Sequence, residues 1–91
     1  MKQFEFKVEK VNGYCSCGYK AGDVFRCEGM NTPDVSFCGG AYMTLFPIQV
    51  ALHNGALFYS EDNPKSKGKL ACPDNGKIVF QLNLLGDEYI T

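Results

Sequence analysis

The chain has 91 residues, of which 45% are hydrophobic and 21% are charged, and its formal net charge is −1. This length and composition indicate one globular domain over 1–91 and exclude a disordered chain or a pair of ordinary domains. The near-balanced charge argues against nucleic acid or an anionic membrane as a partner, since both attract a basic surplus. No apolar run approaches the roughly 18 residues of a membrane span. The first residues lack a signal-peptide pattern, so we expect a cytoplasmic protein.

The first third of the chain predicts two strands. Residues 3–11 alternate polar and apolar side chains, which is typical of a strand with one buried face. The glycine-rich segment 14–22 is predicted as a loop, a second short strand is predicted over 23–28, and 29–36 is expected to be irregular. The side chains that should face the core from the two strands are Phe4, Phe6, Val8, Phe25 and Cys27.

One helix is predicted over 41–54, and Gly55 follows it, where a left-handed C-cap is common. Pro47 lies inside this run and removes one helical hydrogen bond. We therefore expect either a kink at Pro47, or a short turn followed by a helix with Pro47 in its first turn. The stripe expected to face the sheet consists of Ala41, Leu45, Ile48 and Leu52.

The same helix carries a second apolar stripe, Tyr42, Phe46 and Val50, so it is apolar nearly all round. A helix of this kind is buried on several sides. One small sheet cannot cover both stripes, and an exposed apolar patch usually marks a partner site, so we expect a homo-oligomer through helix 41–54. The alternative is that loops 29–36 and 56–63 fold over the second stripe within one chain.

The last third predicts a β-hairpin. Residues 60–69 are polar and charged, and they are predicted as a solvated loop. Residues 69–85 are predicted as two strands around the turn 73–76, because Asn-Gly between alternating segments is a strong hairpin signal. In the second of these strands Ile78, Phe80 and Leu82 should face the core. Residues 86–91 are expected to be loosely held.

The order β-β-α-β-β predicts a small two-layer α+β domain with a mostly antiparallel sheet and one main helix. Its five cysteines are many for a short cytoplasmic chain. Their odd number and the expected reducing compartment argue against a disulfide scaffold. Metal ligation, a reactive thiol and plain burial remain as interpretations. Cys27, on the apolar face of a predicted strand, should be a core residue.

Three blocks of the sequence resemble, in the same order, the motifs of a family of small, functionally uncharacterised prokaryotic proteins. The blocks are 15–23 (CSCGYKAGD), 38–55 (opening with CGGA and closing on glycine) and 72–74 (CPD). The resemblance extends from the first strand to Leu84. It places Cys15, Cys38 and Cys72 on the family motif and leaves Cys17, Cys27 and His53 outside it. It implies no particular activity.

Cys15, Cys38 and Cys72 are candidate metal ligands, because each is predicted beside the end of a strand or helix. We expect at least two of their three sulfurs to lie close enough to share a ligand. With Cys17, Asp74 or an outside group completing the set, they could hold Zn²⁺ or an iron–sulfur cluster. The chain has no Cys-x-x-Cys knuckle of the usual zinc type. The first functional hypothesis is thus a non-enzymatic module that binds a metal or small ligand near these cysteines.

Cys38 is the candidate catalytic residue of the second hypothesis, a small redox or thiol enzyme. It directly precedes the predicted helix, where unpaired backbone N–H groups and the helix dipole lower the pKa of a thiol. His53 lies near the opposite end of that helix, which argues against a Cys–His pair. It is expected instead to meet the helix dipole.

Overall fold

A computed structural model describes residues 1–15, 17–73 and 75–87. Its elements, in chain order, are β1 (Lys2–Val11), β2 (Val24–Glu28), α1 (Gly39–His53), β3 (Ser66–Ala71) and β4 (Ile78–Asp87). The strands form one sheet in the order β2-β1-β4-β3, and every neighbouring pair is antiparallel. This arrangement confirms the predicted two-layer α+β domain. In the part of the chain that the structure describes, no helix is long and apolar enough to cross a membrane.

The alternating patterns of the two long central strands give the core, as the sequence predicts. Phe4, Phe6 and Val8 of β1 have no exposed surface, and Ile78, Phe80 and Leu82 of β4 are at most 2% exposed. Phe6 is paired with Leu82 across the two strands. The predicted register of the last strand is therefore confirmed. The β3–β4 turn is confirmed as well, since Asn75 and Gly76 both adopt positive φ, at 54° and 66°.

β3 corrects the prediction of a solvated loop over 60–69, because the strand begins at Ser66. Ser66, Gly68 and Leu70 are buried and alternate with more exposed neighbours. The alternation escaped prediction because small residues occupy two of the three inner positions. The β3–β4 register also shifts between Lys67 and Leu70, and Lys69 has a positive φ of 58°, so the strand contains an irregularity.

The helix α1 begins two residues before its predicted start and ends one residue before its predicted end. It runs continuously through Pro47, so the predicted short turn before a helix starting at Pro47 is wrong. Gly55 follows the C-cap with a φ of 93°. The N–H of Ala56 bonds to the carbonyl of Ala51 at 2.9 Å, and that of Gly55 bonds to Leu52 at 3.1 Å. These two bonds form the Schellman ending that the position of Gly55 predicted.

One position of the inner helical stripe differs from the prediction. Gln49 is fully buried, whereas Ile48 is only half-buried. Gln49 is accommodated because its Nε2 donates hydrogen bonds to the carbonyls of Gly29 and Asn31, at 2.9 and 3.0 Å, and its Oε1 accepts one from Tyr42 at 3.2 Å. A buried amide with these partners satisfies its polar atoms. The loop after β2 is thereby fastened to the helix.

The second apolar stripe, Tyr42, Phe46 and Val50, is half-buried within one chain. Tyr42 stacks near Phe46 at 5.1 Å between ring centroids, and its hydroxyl donates to the carbonyl of Asn31 at 3.3 Å. The loop 29–36 thus contributes part of the covering that the alternative interpretation required. Met43, on the same helix, is 76% exposed.

Phe37 connects the core to the start of the helix. Its ring lies 4.9–6.3 Å, between centroids, from five aromatic rings, which belong to Phe6, Tyr19, Phe25, Tyr42 and Phe80. Such offset and edge-to-face pairs are favourable beyond their buried area. The residue that follows Phe37 is Cys38, so this aromatic cluster fixes the backbone at the helix N-terminus.

Candidate thiol site

Four of the five cysteines line one small pocket of ≈ 60 Å³. They come from the β1–β2 loop (Cys15 and Cys17), the N-cap of α1 (Cys38) and the residue after β3 (Cys72). The remaining lining residues are Tyr14, Tyr19, Ala41, Lys77 and Ile78. Cys15, Cys38 and Cys72 thus lie around a common pocket, as the shared-site hypothesis requires. All five cysteines are free thiols.

Cys38 occupies the N-cap of α1, and its thiol lies at the positive end of the helix. The N–H groups of Ala41 and, to a lesser degree, Gly40 stabilise the thiolate and lower the pKa of Cys38. Partial burial opposes this shift, and a hydrogen bond from Cys17 adds to it. In the neutral state the thiol makes no regular side-chain cap. The amides therefore favour chiefly the charged form, which is the nucleophilic form of cysteine.

Tyr19 fixes the backbone of Cys38. The N–H of Cys38 donates a hydrogen bond of 2.7 Å to Oη of Tyr19. The ring of Tyr19 stacks on Phe37 at 5.6 Å with an interplanar angle of 24°, and its centroid lies 5.0 Å from that of Phe25. Burial raises the pKa of Tyr19, the hydrogen bond from the backbone of Cys38 opposes this shift, and the charges of Cys17, Cys38 and Cys15 add to it.

Cys17 lies beside two other thiols, since Cys15 and Cys38 line the same pocket. Hydrogen bonding with Cys38 is the largest cause that raises the pKa of Cys17, and desolvation and the charges of both neighbours add to it. The pKa values of the Cys17 and Cys38 thiols thus move in opposite directions. Cys38 ionises first, and Cys17, the more exposed of the two, keeps its proton and donates it toward Cys38.

The β1–β2 loop holds Cys17 in this position through backbone hydrogen bonds. The N–H of Gly18 donates to the carbonyl of Cys15 at 2.9 Å, which closes a turn, and Gly18 adopts a φ of 73°. Farther along the loop, the N–H of Lys20 donates to the carboxylate of Asp23 at 2.8 Å. Asp23 thus accepts a hydrogen bond from the local backbone, as a carboxylate in a loop commonly does.

Cys72 contributes to the pocket from the hairpin side. Its Sγ accepts a hydrogen bond of 3.5 Å from the N–H of Ile78, and its N–H donates to the Ile78 carbonyl at 2.9 Å. Among the residues that the structure describes, no group of three or more His, Cys, Asp or Glu side chains is arranged to hold a metal ion. Asp74, considered as a further ligand, lies outside the described residues.

Two other predicted features belong to the core and the far helix end. Cys27 is 3% exposed, and desolvation raises its pKa to about 12, so this thiol is inert at neutral pH, as expected of a core cysteine. His53 is the last residue of α1, about 22 Å from Cys38 at the usual rise per residue. Its Nδ1 is buried and has no hydrogen-bond partner among the described atoms. The two residues form no Cys–His pair.

A wider groove of ≈ 300 Å³ lies beside the small pocket and is lined by Cys17, Tyr19, Ser36, Phe37 and Cys38. Cys17 and Cys38 thus border both the pocket and the groove. A volume of this size is at the lower end of small-molecule sites. The groove provides a route by which a substrate could reach the Cys17–Cys38 pair.

Sequence reasoning named three of the four pocket cysteines as the main candidates and set Cys17 aside as an auxiliary ligand. Tyr19 was missed altogether. No local signal distinguishes it from Tyr14, which lies in the same loop and is 78% exposed. The hydrogen-bond partner of Tyr19 is 19 positions away.

No protein-family model, curated protein or solved structure matches the chain. The resemblance of its three cysteine blocks to an uncharacterised prokaryotic family therefore stays a prediction. The function has to be argued from the thiol site itself.

Proposed function

We propose that the protein is a small thiol–disulfide exchange protein, with Cys38 as the reactive thiol and Cys17 as the resolving thiol. The observation that carries this proposal is that Cys17 and Cys38 line one pocket at the N-terminus of α1, where the pKa of Cys38 is lowered and that of Cys17 is raised. A low-pKa thiolate beside a protonated second thiol is the arrangement that disulfide exchange uses.

The reaction has two steps. The Cys38 thiolate attacks one sulfur of a substrate disulfide, forms a mixed disulfide and releases the other substrate sulfur as a thiolate. Cys17 then loses its proton and attacks Cys38 Sγ, so that the remaining substrate sulfur leaves as a thiolate. Overall, two cysteine thiols are oxidised to a Cys17–Cys38 disulfide and the substrate disulfide is reduced by two electrons. The same steps in reverse oxidise a substrate dithiol.

The proposal is tested on two separate samples, one alkylated and one oxidised. In the first, with a limiting amount of iodoacetamide, Cys38 should be the first cysteine modified, with a pH midpoint below that of an ordinary free thiol. In the second, which has not been alkylated, incubation with oxidised glutathione should remove two titratable thiols and link Cys17 to Cys38. If another cysteine reacts first, or if all five thiols survive the oxidant, the proposal is wrong. Cys72→Ser is the matched control and should retain both properties.

The second candidate is the non-enzymatic module that binds a metal or small ligand near Cys15, Cys38 and Cys72. The observation that favours it is that the three residues line one pocket. The described side chains do not themselves form a metal-ligand group, so zinc or an iron–sulfur cluster would require these sulfurs to move together. Elemental analysis and an absorbance spectrum after anaerobic purification decide this point, because stoichiometric zinc or iron would favour the module over the exchange protein.

Two further parts of the proposal concern the setting of the protein. We place it in the cytoplasm, where reducing conditions would return the Cys17–Cys38 pair to its thiol form after each reaction. We also propose a homo-oligomer held through helix 41–54, without a nucleic-acid or membrane partner. The support for it is the second apolar stripe, which remains only half-buried within one chain.

A further inference from the structure

Cys17 has two thiol neighbours, and a simple exchange pair needs only one. Cys15, Cys17 and Cys38 line the same pocket. The N–H of Gly18 donates to the carbonyl of Cys15 at 2.9 Å. Both Cys38 and Cys15 raise the pKa of the Cys17 thiol. The third thiol thus borders the pocket that contains the proposed exchange pair.

We propose that Cys15 is a third redox residue, which replaces Cys38 as the disulfide partner of Cys17 by disulfide exchange within the protein. This inference rests on the proposed function, since it starts from the Cys17–Cys38 disulfide. Cys15 loses its proton to solvent, and its thiolate attacks Cys17 Sγ. A bond forms between Cys15 Sγ and Cys17 Sγ, the Cys17–Cys38 bond breaks, and its electron pair leaves with Cys38 as a thiolate. No oxidant or reductant is consumed in this step.

The leaving group explains why Cys15 should attack the sulfur of Cys17 and expel Cys38. In disulfide exchange, a thiol of lower pKa leaves faster. The N–H groups at the helix N-terminus stabilise the Cys38 thiolate, so an attack on Cys17 that expels Cys38 is faster than one that expels an ordinary thiol. Cys17 is exposed, which leaves its sulfur open to the approach of Cys15.

The exchange has a consequence for turnover. It regenerates the Cys38 thiolate while the oxidising equivalent is kept in a Cys15–Cys17 disulfide. Both cysteines line the pocket and Cys17 is exposed, so an external thiol can reach the stored disulfide. An external thiol is therefore the class of partner that completes the cycle.

Tryptic peptides distinguish the two disulfides. Cys15 and Cys17 lie together in peptide 11–20, whereas Cys38 lies in peptide 27–65. A Cys17–Cys38 bond links the two peptides, and a Cys15–Cys17 bond forms a loop inside the first. The reduced protein is pulsed with one equivalent of oxidised glutathione, quenched with acid and N-ethylmaleimide at intervals, and mapped by mass spectrometry.

In the native chain the linked peptides should appear first and then decline while the internal disulfide grows. Cys15→Ser should stop at the linked peptides, and Cys38→Ser should form at least tenfold less internal disulfide in the same time. Cys27→Ala, which removes a buried thiol outside the pocket, should behave like the native chain. Circular dichroism checks that each variant is folded.

The outcomes separate this inference from the proposed function. Linked peptides that form and never convert would overturn the role of Cys15 and leave the Cys17–Cys38 pair intact. Internal disulfide that forms equally fast in Cys38→Ser would also overturn the exchange, because Cys15 and Cys17 would then be oxidised directly. If neither disulfide forms in any variant, the proposed function itself fails.

Discussion

The backbone N–H of Cys38 and the phenolic oxygen of Tyr19 are joined by a hydrogen bond of 2.7 Å. This bond ties the β1–β2 loop, which carries Cys17, to the N-terminus of the helix that carries Cys38. The two thiols come from separate elements, and Tyr19 provides a direct link between those elements. The geometry of the thiol pair therefore depends on a tyrosine that takes no part in the exchange itself.

Tyr19→Phe tests this dependence, because it keeps the ring and removes the hydrogen bond. We expect the equilibrium constant for Cys17–Cys38 disulfide formation against glutathione to fall about fivefold, since a hydrogen bond of this kind contributes roughly 1 kcal/mol. The control is Tyr42→Phe. It also removes a partly buried hydroxyl, but Tyr42 lies on α1 and makes no hydrogen bond to Cys38 through that hydroxyl. An unchanged equilibrium constant in Tyr19→Phe would show that the loop does not need this link.

Cys27 predicts a loss of stability at alkaline pH. Its pKa is raised to about 12 in the folded protein and is about 8.5 when unfolded. The unfolded state therefore loses this proton first, and the free energy of unfolding falls as pH rises between these two values. The decrease from this group should reach roughly 2 kcal/mol at pH 10.

Urea titrations at pH 7 and pH 10 on the native chain and on Cys27→Ala measure this decrease. The variant should be less stable at pH 7, because it leaves a small cavity, yet it should lose less stability on going to pH 10. Tyr19, whose pKa is also raised by burial, contributes equally to both chains and cancels in the comparison. The pKa of Tyr42 is raised by burial and, to a lesser degree, by the charge of Cys27, so the small part due to Cys27 belongs to the measured difference. An equal loss in the two chains would contradict the assignment.

Gln49→Leu should destabilise the fold although it makes the core more apolar. The carbonyl of Gly29 would lose the 2.9 Å hydrogen bond that Gln49 donates to it, and a buried polar group without a partner costs about 1–3 kcal/mol. Gln81→Leu is the control, because Gln81 is only half-buried and bonds to the side chain of Asn83. The urea midpoint of Gln81→Leu should stay near that of the native chain. A fully stable Gln49→Leu would show that loop 29–36 needs no such anchor.

Sedimentation at micromolar concentration tests the proposed assembly. Phe46→Glu places a charge in the second apolar stripe and should convert an oligomer into a monomer of 10.1 kDa. Met43→Glu changes the same helix at a residue outside the second stripe that is 76% exposed, so it should leave the assembly intact. A native chain that sediments as a monomer would contradict the interface directly.

The sequence predicted those parts of the fold whose signals are local. β1 and β4 carry large apolar side chains at every second position, and the Asn75–Gly76 turn specifies its own backbone angles. β3 lacked such a signal, because Ser66 and Gly68 occupy its inner positions and an irregularity interrupts its pairing. Its place in the sheet follows from the hairpin with β4, which is a tertiary relationship.

In the thiol site, too, the sequence predicted the features that depend on adjacent residues and not those that depend on tertiary contacts. The position of Cys38 before a helix could be predicted, and so could its lowered pKa, since both depend on adjacent residues. The contact with Cys17 could not, because it depends on the path of a loop whose ends are fixed by β1 and β2. Tyr19 reaches Cys38 across that loop, and no spacing rule connects residues brought together in this way.

The N-cap of the helix is a position where stability and reactivity compete. Ser, Thr, Asp and Asn cap helices well, whereas Cys38 provides no regular side-chain cap. Replacing it with serine should stabilise the protein by about 0.5–1 kcal/mol through a better cap while removing its nucleophile. The same substitution would therefore strengthen the helix start and abolish the proposed exchange, so stability and activity should change in opposite directions at this one residue.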